Sequence, residues 1–210
     1  MDRRTALIVI DMERGFLSPA SPLCIGGAAA TVPACAAVIE ACRARGVPVF
    51  FVIRAYRADG SDIESTRLPA WLAGGKPLSP GCPEEIGTAM PEEFGFCEKD
   101  VLLYKPRFSA LFRTPLDGML RRLGVDTLLL AGTTTPNCIR TTAYDALSLE
   151  YNVAVLSDCT SSVSEAVQRA NLADMARVGV QILSSADYLS GRVPLADPVG
   201  EARRLVRAGL

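Results

Sequence analysis

The chain has 210 residues, 49% of them hydrophobic, and a formal net charge of -1 at pH 7. This length is enough for one domain with a sizeable core. The near-zero charge, without any basic cluster, gives no electrostatic basis for binding nucleic acid. No apolar run approaches the roughly 20 residues that span a bilayer. We therefore expect neither a nucleic-acid partner nor a membrane partner.

Seven cysteines and the absence of histidine limit the available chemistry. The cysteines are scattered and form no Cys-x-x-Cys pair, which is typical of a reducing cytoplasm rather than of a disulfide framework. Without histidine, Cys–His and Ser–His–Asp catalysis are excluded, and so is every histidine-containing metal site. Proton transfer must then come from Asp, Glu, Lys, Cys or Tyr side chains, or from a cofactor. We predict a cytoplasmic protein without a metal.

The first segments read as a strand and a helix. Residues 6–12 form an apolar run that ends near Asp11, which is typical of a strand buried on both faces. Residues 31–45 have helical spacing, with an apolar stripe that includes Cys35 and Cys42. We therefore assign these two cysteines to the core. Asp11 follows a strand, where an acid is either part of a site or a simple turn cap.

A second strand is predicted over residues 47–53, and a short third one over 101–104. The intervening residues 56–100 have little periodicity and contain several Gly and Pro residues. Long irregular stretches in compact chains are usually functional loops, so we expect this one to face the substrate. Lys105 directly follows the third strand, where it is either a site residue or one more solvated surface lysine.

The second half of the chain continues the alternation of strands and helices. It predicts a helix from 114–123, a strand over 127–131 ended by Gly132, a helix that opens at Cys138, a strand over 152–156, a helix to about 177, a strand over 180–183 and a helical turn over 185–189. This order predicts one α/β domain over residues 1–190, with a mostly parallel sheet and helices on both faces. Residues 191–210 read as a C-terminal tail. No nucleotide-binding motif is present, and we predict no cofactor.

Three chemically suited side chains each follow a predicted strand: Asp11, Lys105 and Cys138. The carboxyl ends of parallel strands meet at one edge of the sheet, so these side chains are expected to lie together. The start of a helix favours a thiolate at Cys138 because its unpaired N–H groups carry partial positive charge. A carboxylate can take the thiol proton, and an ammonium can stabilise the thiolate. The trio therefore suits nucleophilic catalysis without histidine.

Four segments resemble the isochorismatase-like cysteine hydrolases. They are ALIVIDMERGFLSP (6–19), YKPRFSALFRTPL (104–116), LLLAGTTTPNCIRTTAYDAL (128–147) and VAVLSDCTSS (153–162). The resemblance implies a three-layer α/β/α sandwich with a six-stranded, mostly parallel sheet. It also implies that Asp11, Lys105 and Cys138 are a catalytic triad, that the Thr133–Thr134 peptide is cis, and that the N–H groups of Thr134 and Cys138 form the oxyanion hole.

The departures from the family pattern narrow the expected reaction. Nicotinamide-hydrolysing members carry a metal site with histidines, and this chain has none. Members that cleave the vinyl ether of isochorismate lack the nucleophilic cysteine, whereas Cys138 is present here. We therefore predict thiol-dependent hydrolysis of a small amide, ureide or carbamoyl compound, with a covalent acyl-enzyme and release of ammonia.

Three further side chains are candidates for binding a polar or anionic substrate group: Arg54, Tyr56 and Arg107. Each has an alternative role, because arginines at strand ends often only pair with nearby carboxylates. Two other functions remain open, namely a catalytically idle binding protein on the same fold and a thiol redox sensor. The resemblance also implies a homo-oligomer, a dimer or a tetramer.

Overall fold

The computed structural model describes residues 4–209. The outermost residues of the predicted domain and tail, 1–3 and 210, lie outside the described residues. The strands are β1 (Thr5–Ile10), β2 (Val49–Ile53), β3 (Val101–Tyr104), β4 (Thr127–Thr133), β5 (Asn152–Ser161) and β6 (Gln181–Leu183). The helices are α1 (Arg14–Leu17), α2 (Val32–Ala44), α3 (Leu68–Ala73), α4 (Leu116–Arg122), α5 (Arg140–Ser148), α6 (Glu165–Arg177), α7 (Ser185–Ser190) and α8 (Pro198–Arg207).

The six strands form one sheet in the order β3-β2-β1-β4-β5-β6, and each neighbouring pair is parallel. The chain builds outward from β1 to β3 and then restarts on the other side of β1 with β4. Strand order therefore reverses between β1 and β4. In open α/β sheets, the crevice at such a reversal, outside the carboxyl ends of the strands, is the usual binding place.

The sheet separates two apolar cores because successive strand side chains point to opposite faces. Ala6, Ile8 and Ile10 pack with α4 and α5 on one face. Leu7 and Val9 pack with α2 on the other, in the core that also contains Cys35 and Cys42. The predicted three-layer α/β/α sandwich is therefore confirmed. Among residues 4–209, no helix has the length and apolar character that crossing a bilayer requires.

Several boundaries differ from the sequence-based expectation. Gly132 does not end its strand, since β4 continues to Thr133, and β5 runs to Ser161 rather than 156 because its register shifts opposite Leu130 and Gly132. A single π-helical turn, Thr135–Ile139, precedes α5 and contains Cys138.

The long loop and the tail also contain regular structure. Residues 56–100 include the short helix α3, whose Trp71 is fully buried in a small cluster with Tyr56 and Phe16. The tail includes α8, whose start is tied to β5 because Asn152 Nδ2 donates to Asp197 Oδ1 at 2.9 Å.

Candidate active site

Asp11, Lys105 and Cys138 meet at the carboxyl edge of the sheet, beside the reversal of strand order. Lys105 Nζ lies 2.7 Å from Asp11 Oδ2 and 3.5 Å from Cys138 Sγ. Lys105 follows β3, which is two strands from β1, so its side chain must cross the end of β2 to reach Asp11. The structure thus brings together the three residues that the strand ends indicated.

The three side chains are buried: Asp11, Lys105 and Cys138 are 0%, 1% and 3% exposed. Burial raises the pKa of the Cys138 thiol to about 11, and the Asp11 carboxylate adds to the rise, whereas Lys105 and Arg54 oppose it. A low-dielectric setting disfavours a lone thiolate but strengthens the attraction between Lys105 and a carboxylate. At rest, the group is therefore a neutral thiol beside an ion pair.

The turn before Cys138 is held by hydroxyl groups. The Thr133–Thr134 peptide is cis. Ser161 Oγ, at the end of β5, donates to Thr133 Oγ1 at 2.9 Å, and Thr135 Oγ1 donates to the Ser161 carbonyl at 2.9 Å. Within residues 4–209, the Thr134 N–H donates no hydrogen bond, so it is available to an acceptor in the site. The longer β5 is what supplies Ser161 at this place.

One threonine joins the segment of Lys105 to the segment of Cys138. Thr142 Oγ1 donates to the Cys138 carbonyl at 2.6 Å and accepts from the Ala110 N–H at 2.9 Å. Thr142 is fully buried. This bridge fixes the π turn against the loop that follows β3.

A buried guanidinium, that of Arg54, forms the side of the site next to the thiol. Arg54 Nη2 lies 4.0 Å from Cys138 Sγ. Its Nη1 pairs with Glu64 Oε1 and also donates to the Tyr56 hydroxyl at 3.1 Å, and that hydroxyl donates to Glu64 Oε2 at 2.8 Å. Burial opposes ionisation of Glu64, but Arg54 lowers its pKa below the usual range. Arg54 and Tyr56 thus have protein partners, although Arg54 Nε is buried without one among the described residues.

Arg107, the third candidate, contributes mainly through its backbone. Its carbonyl accepts from Arg54 Nη2 at 2.7 Å and from Lys105 Nζ at 3.1 Å. Its side chain is half-buried and donates from Nη1 to the Asp62 carbonyl at 2.8 Å. Arg107 therefore connects the two cations of the site to the long loop.

Sequence reasoning missed two carboxyl groups in the site. Glu13 is fully buried, and its Oε1 accepts from the Arg54 N–H at 2.7 Å. Its position two residues after Asp11 was a usable signal, because both follow β1. Glu64 is 8% exposed and lies in the irregular loop, where no periodicity identifies it.

A sequence model of the Isochorismatase domain matches residues 5–187, which is most of the chain. The chain belongs to the isochorismatase family. Its segments quoted above, and the cis peptide at Thr133–Thr134, agree with this membership.

The chain is similar to curated proteins whose names refer to different small-molecule substrates. A probable inactive nicotinamidase from Arabidopsis thaliana is 35% identical, over 85% of this chain and 91% of that protein. A maleamate amidohydrolase from Pseudomonas putida is 31% identical, over 82% of this chain and 79% of that protein. A ureidoacrylate amidohydrolase from Azorhizobium caulinodans is 30% identical, over 79% of this chain and 80% of that protein.

Solved structures of the family share the fold along nearly the whole chain. An isochorismatase family protein from Desulfovibrio vulgaris has a TM-score of 0.82 and 40% identity, covering 89% of this chain and 97% of that one. A cysteine hydrolase from Pseudomonas syringae has a TM-score of 0.81 and 30% identity, covering 90% and 92%.

Two observations concern possible metal ligands in this chain. The chain has no histidine, and residues 4–209 contain no cluster of three Cys, Asp or Glu side chains arranged to hold an ion. The positive charges beside Cys138 come instead from Lys105 and Arg54.

Proposed function

We propose that this chain is a cysteine-dependent amidohydrolase that cleaves a C–N bond of a small amide, ureide or carbamoyl compound. One observation carries the proposal: a single ammonium, that of Lys105, contacts both a buried carboxylate and a buried thiol, at 2.7 and 3.5 Å. Covalent catalysis requires a nucleophile, a base and an orienting group close to one another, and this arrangement meets that requirement. The names of the maleamate and ureidoacrylate relatives agree with this class of reaction.

Acylation begins with a proton transfer inside the site. The Cys138 Sγ–H proton passes to Asp11 as Sγ attacks the substrate carbonyl carbon, and the carbonyl π electrons move to oxygen. Lys105 stabilises the sulfur as it becomes negative. The Thr134 and Cys138 N–H groups are the proposed oxyanion donors, and such preorganised donors contribute about 3–4 kcal/mol to transition-state stabilisation.

The tetrahedral intermediate then collapses and breaks the C–N bond. Asp11 returns the proton to the leaving nitrogen, so that ammonia departs and Cys138 carries a thioester. Asp11, again a carboxylate, takes a proton from water as the water attacks the thioester. Expulsion of sulfur releases the carboxylic or carbamic acid, and the proton on Asp11 restores the Cys138 thiol. One carboxyl group thus acts as base and acid in both half-reactions.

Roles in substrate binding are proposed for the three candidates named from the sequence, one direct and two indirect. Arg54 is the foremost, because its buried Nε lacks a partner among residues 4–209 and its Nη2 lies 4.0 Å from Sγ. Tyr56 and Arg107 contribute by holding Arg54 in place through the hydroxyl at 3.1 Å and the carbonyl at 2.7 Å. The homo-oligomer and the cytoplasmic location stay predictions.

The two alternative functions are weaker. An idle binding protein needs no intact triad, yet all three groups are present and in contact. A redox sensor needs a second thiol within reach of Cys138, and all seven cysteines are free, with no thiol bonded to Cys138 among the described residues.

The test is ammonia release from a panel of small amides, ureides and N-carbamoyl amino acids, with Cys138→Ala measured beside wild type. Cys97→Ala is the matched control because Cys97 is exposed. We expect release by wild type and Cys97→Ala only, with near-identical circular dichroism for all three. Turnover retained by Cys138→Ala would contradict the cysteine mechanism. An inert panel combined with no covalent labelling of Cys138 by a small electrophilic amide analogue would favour the idle protein.

A further inference from the structure

Glu13 is a buried carboxyl group that the proposed reaction does not use. It lies between β1 and α1, two residues after Asp11, and is fully buried. Its Oε1 accepts one hydrogen bond, from the Arg54 N–H at 2.7 Å, and its Oε2 is buried without a partner among the described residues. Among the described residues, the backbone N–H groups of Arg54 and of Glu13 itself favour a negative charge on this group, and no side-chain donor bonds it.

The charges around it are already balanced without Glu13. Asp11 pairs with Lys105, and Glu64 pairs with Arg54. Each pair is at least nine-tenths buried on both sides. A third carboxylate in this group would be a net buried negative charge, and isolated buried charges are neutralised by a shift in protonation rather than tolerated.

We propose that Glu13 is held as a neutral carboxylic acid and acts as a positioning residue, which fixes the backbone of Arg54 and keeps the site free of excess negative charge. The direction of its pKa agrees, since burial and the Asp11 carboxylate raise it well above the usual value, while the Arg54 N–H and Lys105 oppose the rise.

The inference predicts how pH acts on the reaction, and in this respect it rests on the proposed function. The charged or titratable groups that face Glu13 are Asp11 after β1, Arg54 after β2 and Lys105 after β3, with Cys138 beyond them. Loss of the Glu13 proton adds a negative charge beside Asp11, so that Asp11, once it has taken the thiol proton, holds that proton more strongly and is a weaker acid toward the leaving nitrogen. Ionisation of Glu13 therefore raises the barrier to C–N cleavage, in which Asp11 must give up its proton, and activity falls as pH rises through the pKa of Glu13.

The direct test is an infrared difference spectrum of the whole protein, wild type minus Glu13→Gln, at pH 7. A neutral Glu13 gives a carboxylic-acid carbonyl band that is lost in the variant and shifts in D₂O. Glu40→Gln is the matched control, because Glu40 is exposed on α2, and its difference spectrum should contain a carboxylate band instead. A carboxylate band for Glu13 would overturn the inference. Because no turnover is needed, an acid band in an inactive protein would still support the inference while counting against the proposed function.

The kinetic test uses any compound hydrolysed in the amide panel. We expect kcat/KM of wild type to fall about tenfold per pH unit above the Glu13 pKa. Glu13→Gln, which keeps the acceptor for the Arg54 N–H but has no proton to lose, should move this alkaline limb upward by at least about one pH unit. Glu13→Ala loses the acceptor, and glutamine should recover more of the neutral-pH rate than alanine does. Superimposable profiles for wild type and Glu13→Gln would contradict the proposal.

Discussion

Replacing Lys105 by methionine tests the buried ion pair at the centre of the site. Methionine has a similar length but no charge, so Lys105→Met removes the ammonium without leaving a large cavity. Asp11 would then lose the ammonium that lies 2.7 Å from its Oδ2, and the positive charge left to act on it would be that of Arg54, whose own pKa Asp11 raises.

The expected loss follows from burial. The two side chains are 0% and 1% exposed, and their charged atoms lie 2.7 Å apart. Removing one partner of such a pair costs about 3–5 kcal/mol in the free energy of unfolding, because the other charge stays buried without its contacting partner. In a domain of this size, 1 kcal/mol changes Tm by about 2–4 °C, so we expect Tm to fall by about 6–20 °C.

Urea denaturation of four proteins provides the assay: wild type, Lys105→Met, Asp11→Asn and the double variant. The double variant carries neither charge, and uncharged replacements of buried pairs are often close to neutral. It should therefore be more stable than Lys105→Met. Lys99→Met is the control, because Lys99 is exposed and such surface changes usually stay within about 0.5 kcal/mol.

Two results would refute this reasoning. A loss below about 1 kcal/mol for Lys105→Met is the value of an exposed pair rather than a buried one. Strict additivity of the two single variants in the double one would mean that Asp11 and Lys105 do not interact in the folded protein.

Three further predictions concern the thiol, a glycine and the pH dependence of stability. Burial raises the pKa of Cys138 to about 11, so Asp11→Asn, which lacks the proposed base, should react with iodoacetamide at Cys138 more slowly than wild type at pH 7, and its rate should rise with pH as solvent takes the thiol proton. Mass mapping of the Cys138 peptide measures both rates, and a faster reaction of Asp11→Asn at pH 7 would contradict the role of Asp11 as base. Gly132→Ala should lower the free energy of unfolding, by about 1–3 kcal/mol for backbone strain at φ +112° and by about 1–3 kcal/mol for overpacking, because a Cβ would overlap the Ile10 carbonyl. Gly118→Ala is the control: Gly118 faces open space on α4, so its replacement should raise the free energy of unfolding by up to about 1 kcal/mol. The pKa of Glu13 is raised in the folded protein, so its contribution to stability is fully present below its unfolded-state pKa and is lost as pH rises toward the folded-state value, by up to about 1.4 kcal/mol per pH unit. The free energy of unfolding of Glu13→Gln, measured in urea, should therefore increase relative to that of wild type as pH rises above about 5. Parallel stability curves for the two proteins would contradict this.

The sheet could be predicted because its strands are apolar on both faces. β1 and β4 are buried at every residue, so their runs stand out against the polar turns, and the order of strands and helices then implies parallel pairing. The extension of β5 to Ser161 could not be predicted. It depends on a register shift opposite Leu130 and Gly132, which is a property of the pairing and not of either segment alone.

The meeting of Asp11, Lys105 and Cys138 could be predicted because each follows a strand, whereas the groups that surround them could not. Glu64 lies in a loop without periodicity, and its pairing with Arg54 depends on how residues 56–100 fold back over the sheet. Arg54 is a candidate from the sequence alone, but the number of carboxylates around it cannot be read from the sequence. The balance of charge is a three-dimensional quantity, which is why Glu13 became informative only with the structure.

The charge balance also explains how a thiol with a pKa of about 11 can serve as the proposed nucleophile. At pH 7 only about one molecule in 10⁴ would hold a thiolate by loss of the proton to solvent. Transfer of that proton to Asp11 creates no new charge in the buried site, since the negative charge only moves from oxygen to sulfur. Lys105 lies 2.7 Å from the first and 3.5 Å from the second, so one ammonium pairs with the charge before and after it moves. The Arg54–Glu64 pair and a neutral Glu13 leave this exchange without a competing charge.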